Sequence, residues 1–338
     1  MNHPPFTITA AILRKIAEIS EHLGRLSVQQ AHADNLRLRR ANRIRTIHGS
    51  LAIEGNTLTE AQMTAILNGK PVIAPPREVQ EVRNALQAYD LLESWQAASE
   101  QDLLAAHGVL MRGLIDDAGR YRSGGVGVMS GTQVIHMAPP AGRVPVLMAQ
   151  LLAWLKSTDQ HPLIASCVFH YEFEFIHPFA DGNGRMGRLW QTLMLSHWNP
   201  LFAQIPVESL VHVHQSRYYQ AIRDSTEQTN SAPFIEFMLG MIQEAVHSPA
   251  ETHHVDHQVT HQVQTLLLAC VGEMNRTDLM QALDLKDRTN FRQTYLEPAL
   301  KQGLIEMTQP NSPRSPTQKY RLTEQGRQML DHNQAQRP

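Results

Sequence analysis

The sequence is short of several features that would sort it quickly. It has two cysteines, Cys167 and Cys270, both inside apolar helical patterns. That spacing reads as buried thiols in a reducing compartment and excludes a disulfide framework. No apolar run approaches the ~18 residues of a membrane-spanning helix, and Met1–Phe6 lacks a charged segment followed by a hydrophobic one. The expectation is a cytoplasmic protein with no membrane partner. Net charge is also lacking: 30 basic residues against 32 acidic ones leave −2, which excludes a chain that binds nucleic acid along its whole surface. Lysine is scarce, 6 against 24 arginines, and no internal repeat is visible. What remains is 338 residues, 42% of them hydrophobic, enough for a real core and for two or three domains. Eighteen histidines suggest metal, and the arginines suggest anions. Position has to decide both.

Helical periodicity dominates. Ile12, Ile16, Ile19 and Leu23 form one stripe closing at Gly24. A second helix, roughly Asp34 to Glu54, carries Ile44, Ile47 and Leu51, with Arg37, Arg39, Arg40, Arg43 and Arg45 on its other faces, and stops at Gly55-Asn56, a pair suited to a left-handed cap. Thr59 and Gln62 resemble a capping box. Further helices are expected at about Arg77–Ala97, Glu100–Leu114, Val144–Leu155 and Pro162–Ile176, with another from about Arg185. Between them, residues 126–137 read as a β-hairpin. Residues 247–262 are polar and His-rich, a linker pattern. From 263 to 338, helices near Val263–Val271, Arg276–Asp284 and Thr289–Gln302 precede a β-ribbon, the order of a winged helix.

The densest chemistry lies in His177-Pro178-Phe179-Ala180-Asp181-Gly182-Asn183-Gly184-Arg185-Met186-Gly187-Arg188, between two helices. Gly182 and Gly184 permit positive φ and close approach of backbone N–H groups to a ligand. The following helix N-terminus adds donors and partial positive charge. Arg185 and Arg188, three apart, face one side. Asp181 is a hard oxygen ligand suited to a Mg²⁺–nucleotide, and His177 stands where a general base would work. The parts of phosphoryl or nucleotidyl transfer are present; the same residues also suit a plain helix-entry turn with surface ion pairs, and Phe179 reads as a core anchor.

These twelve residues resemble the signature of the Fic (Fic/Doc) family, His-x-Phe-x-Asp/Glu-Gly-Asn-Gly-Arg-x-x-Arg, with every fixed position present. The likeness extends over about Leu36 to Met241. It implies a mainly α fold: a helical core with a β-hairpin flap at 126–137, an N-terminal region (1–100) holding an inhibitory helix (about 36–55), a catalytic core (101–246), the linker (247–262) and a winged-helix domain (263–338). It implies an enzyme that transfers AMP from ATP, with Mg²⁺, to a Ser, Thr or Tyr hydroxyl of a protein. His177 would be the base and Asp181 the Mg²⁺ ligand. Gly182, Asn183, Gly184, Arg185, Met186, Gly187 and Arg188 would bind the nucleotide, Arg185 and Arg188 at its distal phosphates. Ser50-Leu-Ala-Ile-Glu54-Gly-Asn resembles the family's inhibitory motif, implying that Glu54 pairs with Arg188; on residues alone, Glu54 reads as an exposed acid paired with Arg43, Arg45 or water.

Other features bear on partners. The flap is expected to dock a protein substrate, self-modification included, and a homodimer is admitted. Tyr219, beside Tyr218, is a candidate for the base of ATP and an equal candidate for the core. His253, His257 and His261 recur at four-residue spacing with His254 alongside, but in a polar connector without an acidic second shell. Residues 273–338 carry 10 basic and 8 acidic residues. With Arg288 and Arg292 on its third helix and Arg314 and Lys319 near its wing, that +2 is weak for DNA. The alternative reading is therefore a winged-helix regulator of DNA or protein with a secondary Fic activity, or a Fic site that removes AMP or moves another nucleotide.

Overall fold

A computed structural model describes residues 3–30, 36–125, 127–130, 133–247, 261–283, 285, 291–301, 303–309, 315, 317–323 and 326–327. The chain divides into two compact units, Met1–Pro249 and Ala250–Pro338.

The first unit is helical. α1 (Ala10–Gln30) buries Ile12, Ile19 and Leu23 and packs on α11 (Ala232–His247), tied to it by Thr9 Oγ1 to Glu236 Oε1 (2.6 Å) and Lys15 Nζ to Gln243 Oε1 (3.2 Å). It does not close at Gly24: that glycine faces open space, where a helix tolerates it for about 1 kcal/mol. α2 (Leu36–Ile53) buries Ile44, Ile47 and Leu51. Gly55 ends it at φ 88°, with the Asn56 N–H returning to Leu51 O (3.1 Å), the left-handed cap its sequence requires. Gly49 lets α2 touch the backbone of α9 (Val207–Val213): a Cβ there would lie 2.6 Å from Ser209 N. Ser209 Oγ donates to Arg45 O and Gln215 Nε2 to Ile53 O, so α2 is held along its length.

α3 (Glu60–Leu67) begins with the Thr59–Gln62 capping box. α4 (Pro76–Asp90) is shorter than its pattern, because the chain turns at Leu92–Ser94 to bury Trp95 against Trp190. α5 (Glu100–Leu110) stops early as well: Asn84 Nδ2 takes the carbonyls of Leu110 (3.1 Å) and Arg112 (2.8 Å), which ends the helix from outside. Strands β1 (Gly127–Ser130) and β2 (Gln133–Met137) pair antiparallel with a register shift at Val128/Met129; Val126, Gly131 and Thr132 of the expected hairpin lie outside the described residues. α6 (Val144–Ser157) leads to the central pair, α7 (Pro162–Ile176) and α8 (Asn183–Trp198). Both are buried along most of their length, and α10 (Gln215–Gln228) completes the packing.

The second unit buries Val263, Leu266 and Leu267 of α12 (His261–Ala269), Leu279 of α13 (Arg276–Ala282), and Phe291, Leu296 and Tyr320. A widened helical turn, Phe291–Leu296, continues into Glu297–Lys301. β3 (Met274–Asn275), β4 (Ile305–Met307) and β5 (Lys319–Leu322) form an antiparallel sheet in the order β3-β5-β4. The β4–β5 ribbon follows the helices as expected, while β3 lies between α12 and α13 and pairs with β5. His253, His254, His257, Arg288 and Arg314 lie outside the described residues, as does the His261 side chain. Arg292 Nε lies 3.5 Å from Glu297.

Candidate active site

The site lies between the C-terminus of α7 and the N-terminus of α8. α7 ends on His177, whose backbone is left-handed (φ 51°, ψ 62°). A residue with a Cβ pays roughly 1–2 kcal/mol for that conformation, so the surroundings must impose it. Arg122 does so. It is buried, and its guanidinium donates to His177 O (2.7 Å), Gly124 O (2.8 Å), Pro139 O (2.5 Å) and Ile176 O (3.3 Å); its own N–H donates to Pro178 O (2.9 Å). Gly124 and Pro139 flank the hairpin, so one side chain ties its two roots to the carbonyl of His177. Burial lowers the Arg122 pKa, although nothing in its surroundings would remove its proton.

The loop is locked from inside. Asn183 Oδ1 accepts from Phe179 N and its Nδ2 donates to Phe179 O, both at 2.9 Å. Phe179 is fully buried and stacks on His107 at 3.6 Å with parallel rings. His107 accepts the Gly119 N–H at Nδ1 (2.9 Å), which leaves Nε2–H to donate to Asp181 O (3.0 Å). Burial holds this imidazole neutral, with its pKa lowered to about 4. Gly182 adopts φ 85° beneath Met111 and Asp181 Oδ1 accepts its N–H (2.6 Å). The N–H groups of the first turn of α8 have no intrahelical acceptor and form a small anion-binding surface.

The charged groups are already paired. Asp181 Oδ1 meets Arg185 Nη2 (3.0 Å), and Oδ2 meets Arg77 Nη2 (3.3 Å) from α4. Arg185 is buried and also reaches Glu81 (3.5 Å). Arg188 is buried among Ser50 Oγ (3.1 Å), Ser50 O (2.9 Å) and Glu54 Oε1 (2.7 Å). The partner of Glu54 is thus Arg188, while Arg43 takes Asp90 (2.6 Å) and Leu86 O. A Cβ at Gly184 would collide with Glu54 Oε1, so this carboxylate lies directly over the glycine loop. Burial opposes the charge of Arg188, but Glu54 outweighs it and the guanidinium pKa rises.

Two expectations need correcting. Met186 is fully buried in the core and its N–H bonds to Gly182 O (3.0 Å), so its side chain anchors α8. Gly187 is the point where α8 meets α7: a Cβ there would lie 2.8 Å from His170 and 3.1 Å from Glu174. Its role is packing. Arg45 and Arg122 are buried as well. Tyr218 is a core residue hydrogen-bonded through its hydroxyl to His170 Nε2 (3.1 Å). Tyr219 is half-buried, and burial and the nearby Glu54 raise its pKa.

Sequence reasoning missed Arg122, His107, Arg77 and Glu174. Only Glu174 left a readable signal, three residues before His177 on the same helix.

Residues 97–195 match the family model described as "Fic/DOC family", and residues 261–323 match "Filamentation induced by cAMP protein Fic-like, C-terminal domain". A crystal structure of a Fic family protein from Desulfovibrio desulfuricans G20 is 58% identical, covers 96% of this chain and 99% of its own, and superposes with a TM-score of 0.72. Fic-1 from C. elegans, at 21% identity and TM-score 0.55, shares the fold over 69% of this chain and 71% of its own. Among curated proteins, "Protein adenylyltransferase Fic" of Drosophila erecta is 30% identical over 61% of this chain, and that of Culex quinquefasciatus 28% over 70%. The matched region spans only 42% and 50% of those two proteins.

Proposed function

The chain belongs to the Fic/DOC family, and from that premise we propose that it is a protein adenylyltransferase, moving AMP from ATP to a hydroxyl of a protein, its own chain included. The observation that carries the reading is the placement of His177, clamped at the end of α7 beside the anion-binding start of α8. The acceptor oxygen attacks the α-phosphorus, the bond to the bridging oxygen of the β-phosphate breaks, and pyrophosphate leaves. The acceptor's proton passes to His177. Backbone N–H groups at Gly184 and Arg185 face the developing charge, and Arg188 serves the distal phosphates once released from Glu54.

Asp181 fits a Mg²⁺ ion in the manner of nucleotide sites. It is a half-exposed carboxylate beside the phosphate surface, with its oxygens held, among the described residues, by Arg185, Arg77 and one N–H. Among the described residues no group of three or more His, Cys, Asp or Glu could hold a metal, so substrate oxygens and water would complete the shell. Bound there, Mg²⁺ neutralises phosphate charge.

The hairpin is the proposed docking edge for the acceptor segment, through strand-like backbone pairing. Self-inhibition by Glu54 is supported by its position over Gly184 and on Arg188. The deciding experiment is intact mass spectrometry of acceptor proteins after incubation with ATP and Mg²⁺. A gain of one adenylyl group with the Glu54→Gly protein, lost when His177→Ala is added, is the expected result. No adenylyl adduct on any acceptor from that variant would refute the proposal. Among the described residues no helix is long and apolar enough to cross a membrane.

A further inference from the structure

Glu174 has no role in the mechanism so far, yet it is buried directly beneath the base. Its backbone carbonyl lies 3.3 Å from His177 Nδ1, and its carboxylate Oε2 lies 3.6 Å from the same nitrogen. Both acceptors near Nδ1 therefore come from one residue. The other carboxylate oxygen, Oε1, is buried without a hydrogen-bond partner. His170 Nε2 stands 3.9 Å from it, but that nitrogen accepts the Tyr218 hydroxyl, while His170 Nδ1–H is committed to Gln191 Oε1 (2.8 Å). Burial lowers the His170 pKa to about 4, and with Nδ1–H committed to Gln191 this ring donates no hydrogen bond to Glu174. Gly187 on α8 leaves the space in which the carboxylate sits.

A buried carboxylate with an unsatisfied oxygen is costly unless charge compensates it. Among the described residues, the charged or titratable groups facing Glu174 are His170 on its own helix and His177 at the end of it, Arg188 on α8, and Tyr218 and Tyr219 on α10. Desolvation pushes the Glu174 carboxyl up, but His177, then His170 and Arg188, pull it down further, and the net direction is down. The group stays ionised.

We propose that Glu174 is a positioning residue for His177: its carbonyl and carboxylate keep a proton on Nδ1 and balance the positive charge that forms when Nε2 takes the proton of the acceptor hydroxyl. The inference rests on His177 being the base of the reaction proposed above. Nothing is consumed in this step; the carboxylate stays ionised throughout, and the proton gained at Nε2 leaves to solvent in the next cycle. The arrangement holds the imidazole as the neighbouring acid holds it in a hydrolase triad, here within a single helical turn.

Two readouts on the Glu54→Gly protein test this, comparing Glu174 with Glu174→Gln and Glu174→Asp. The first is AMP transfer across pH. Glutamine keeps the shape and removes the charge, so kcat is expected to fall about tenfold, the ATP KM to stay within about twofold, and the acid limb of the profile to move to lower pH. Aspartate is expected to restore the limb. The second needs no catalysis: carbethoxylation of His177 by diethyl pyrocarbonate, followed by peptide mass spectrometry, with its pH midpoint moving down in Glu174→Gln. An unmoved midpoint, even with lower activity, assigns Glu174 to packing alone and overturns the inference. If the Glu54→Gly protein transfers no AMP, the adenylyltransferase reading fails, while the midpoint still decides the role of Glu174.

Discussion

Glu54 Oε1 lies 2.7 Å from Arg188 Nη2, joining side chains 134 residues apart in sequence. The acid sits just past the C-terminal end of α2, where the helix dipole disfavours it, and the guanidinium comes from the second turn of α8. Ser50, one turn before Glu54, adds two further bonds to the same guanidinium. The pair spans the start of α8, so any anion entering there competes with Glu54 for Arg188 and for the space above Gly184.

Removing the acid should open the site. Glu54→Gly is expected to raise adenylyl incorporation from α-labelled ATP by about tenfold or more, equivalent to ~1.4 kcal/mol of released competition. Ser50→Ala, which loses one hydrogen bond to Arg188, should raise it less, by the ~1 kcal/mol of a typical bond at most. Equal activity in wild type and Glu54→Gly at matched ATP and Mg²⁺ would exclude the brake.

His177 carries both the chemistry and a strained backbone. His177→Ala should lower transfer by roughly 10²–10⁴-fold. His177→Gly should be equally inactive but more stable than the alanine variant by about 0.5–1 kcal/mol, seen as a higher melting temperature, because glycine occupies φ 51° without strain. Calorimetry of the two inactive proteins decides whether the left-handed backbone is imposed by the fold.

Arg122 should act at a distance from any nucleotide. Arg122→Lys keeps the charge but cannot reach the same set of carbonyls, leaving buried acceptors unpaired at about 1–3 kcal/mol each. A lower melting temperature and reduced transfer are expected, with ATP binding less affected because Asn183 and Phe179 hold the phosphate loop independently. Unchanged stability and rate would show that His177 is held by other means.

His170 should make stability fall in mild acid. Its pKa is lowered to about 4 by burial, against 6.5 when unfolded. The unfolded chain therefore binds a proton that the native state refuses, and the penalty grows as pH falls from about 6.5 towards 4. Its size is of the order of 3 kcal/mol at the low end. Urea unfolding at pH 7 and pH 5 should show a smaller difference for His170→Gln than for the parent protein.

The amino-acid sequence determined the parts that depend on neighbours along the chain. The capping box of Thr59 and Gln62, the left-handed end of α2 at Gly55, and a glycine loop between two helices follow from local backbone chemistry, and the structure contains each. Residues 177–188 were legible because their chemistry is contiguous. Helix ends were less so, since α5 is stopped by Asn84 and α4 by the burial of Trp95, both set by distant partners. The same limit governs the site. Period and spacing could not distinguish Met186 and Gly187, which pack, from Gly184 and Arg188, which face the cleft. They could not find Arg122 or His107, whose roles consist of bonds to remote carbonyls. They left Glu54 with several partners. Only the crossing of α2 over α8 puts its carboxylate on Arg188, because electrostatic pairing depends on distance in space, and tertiary packing sets that distance.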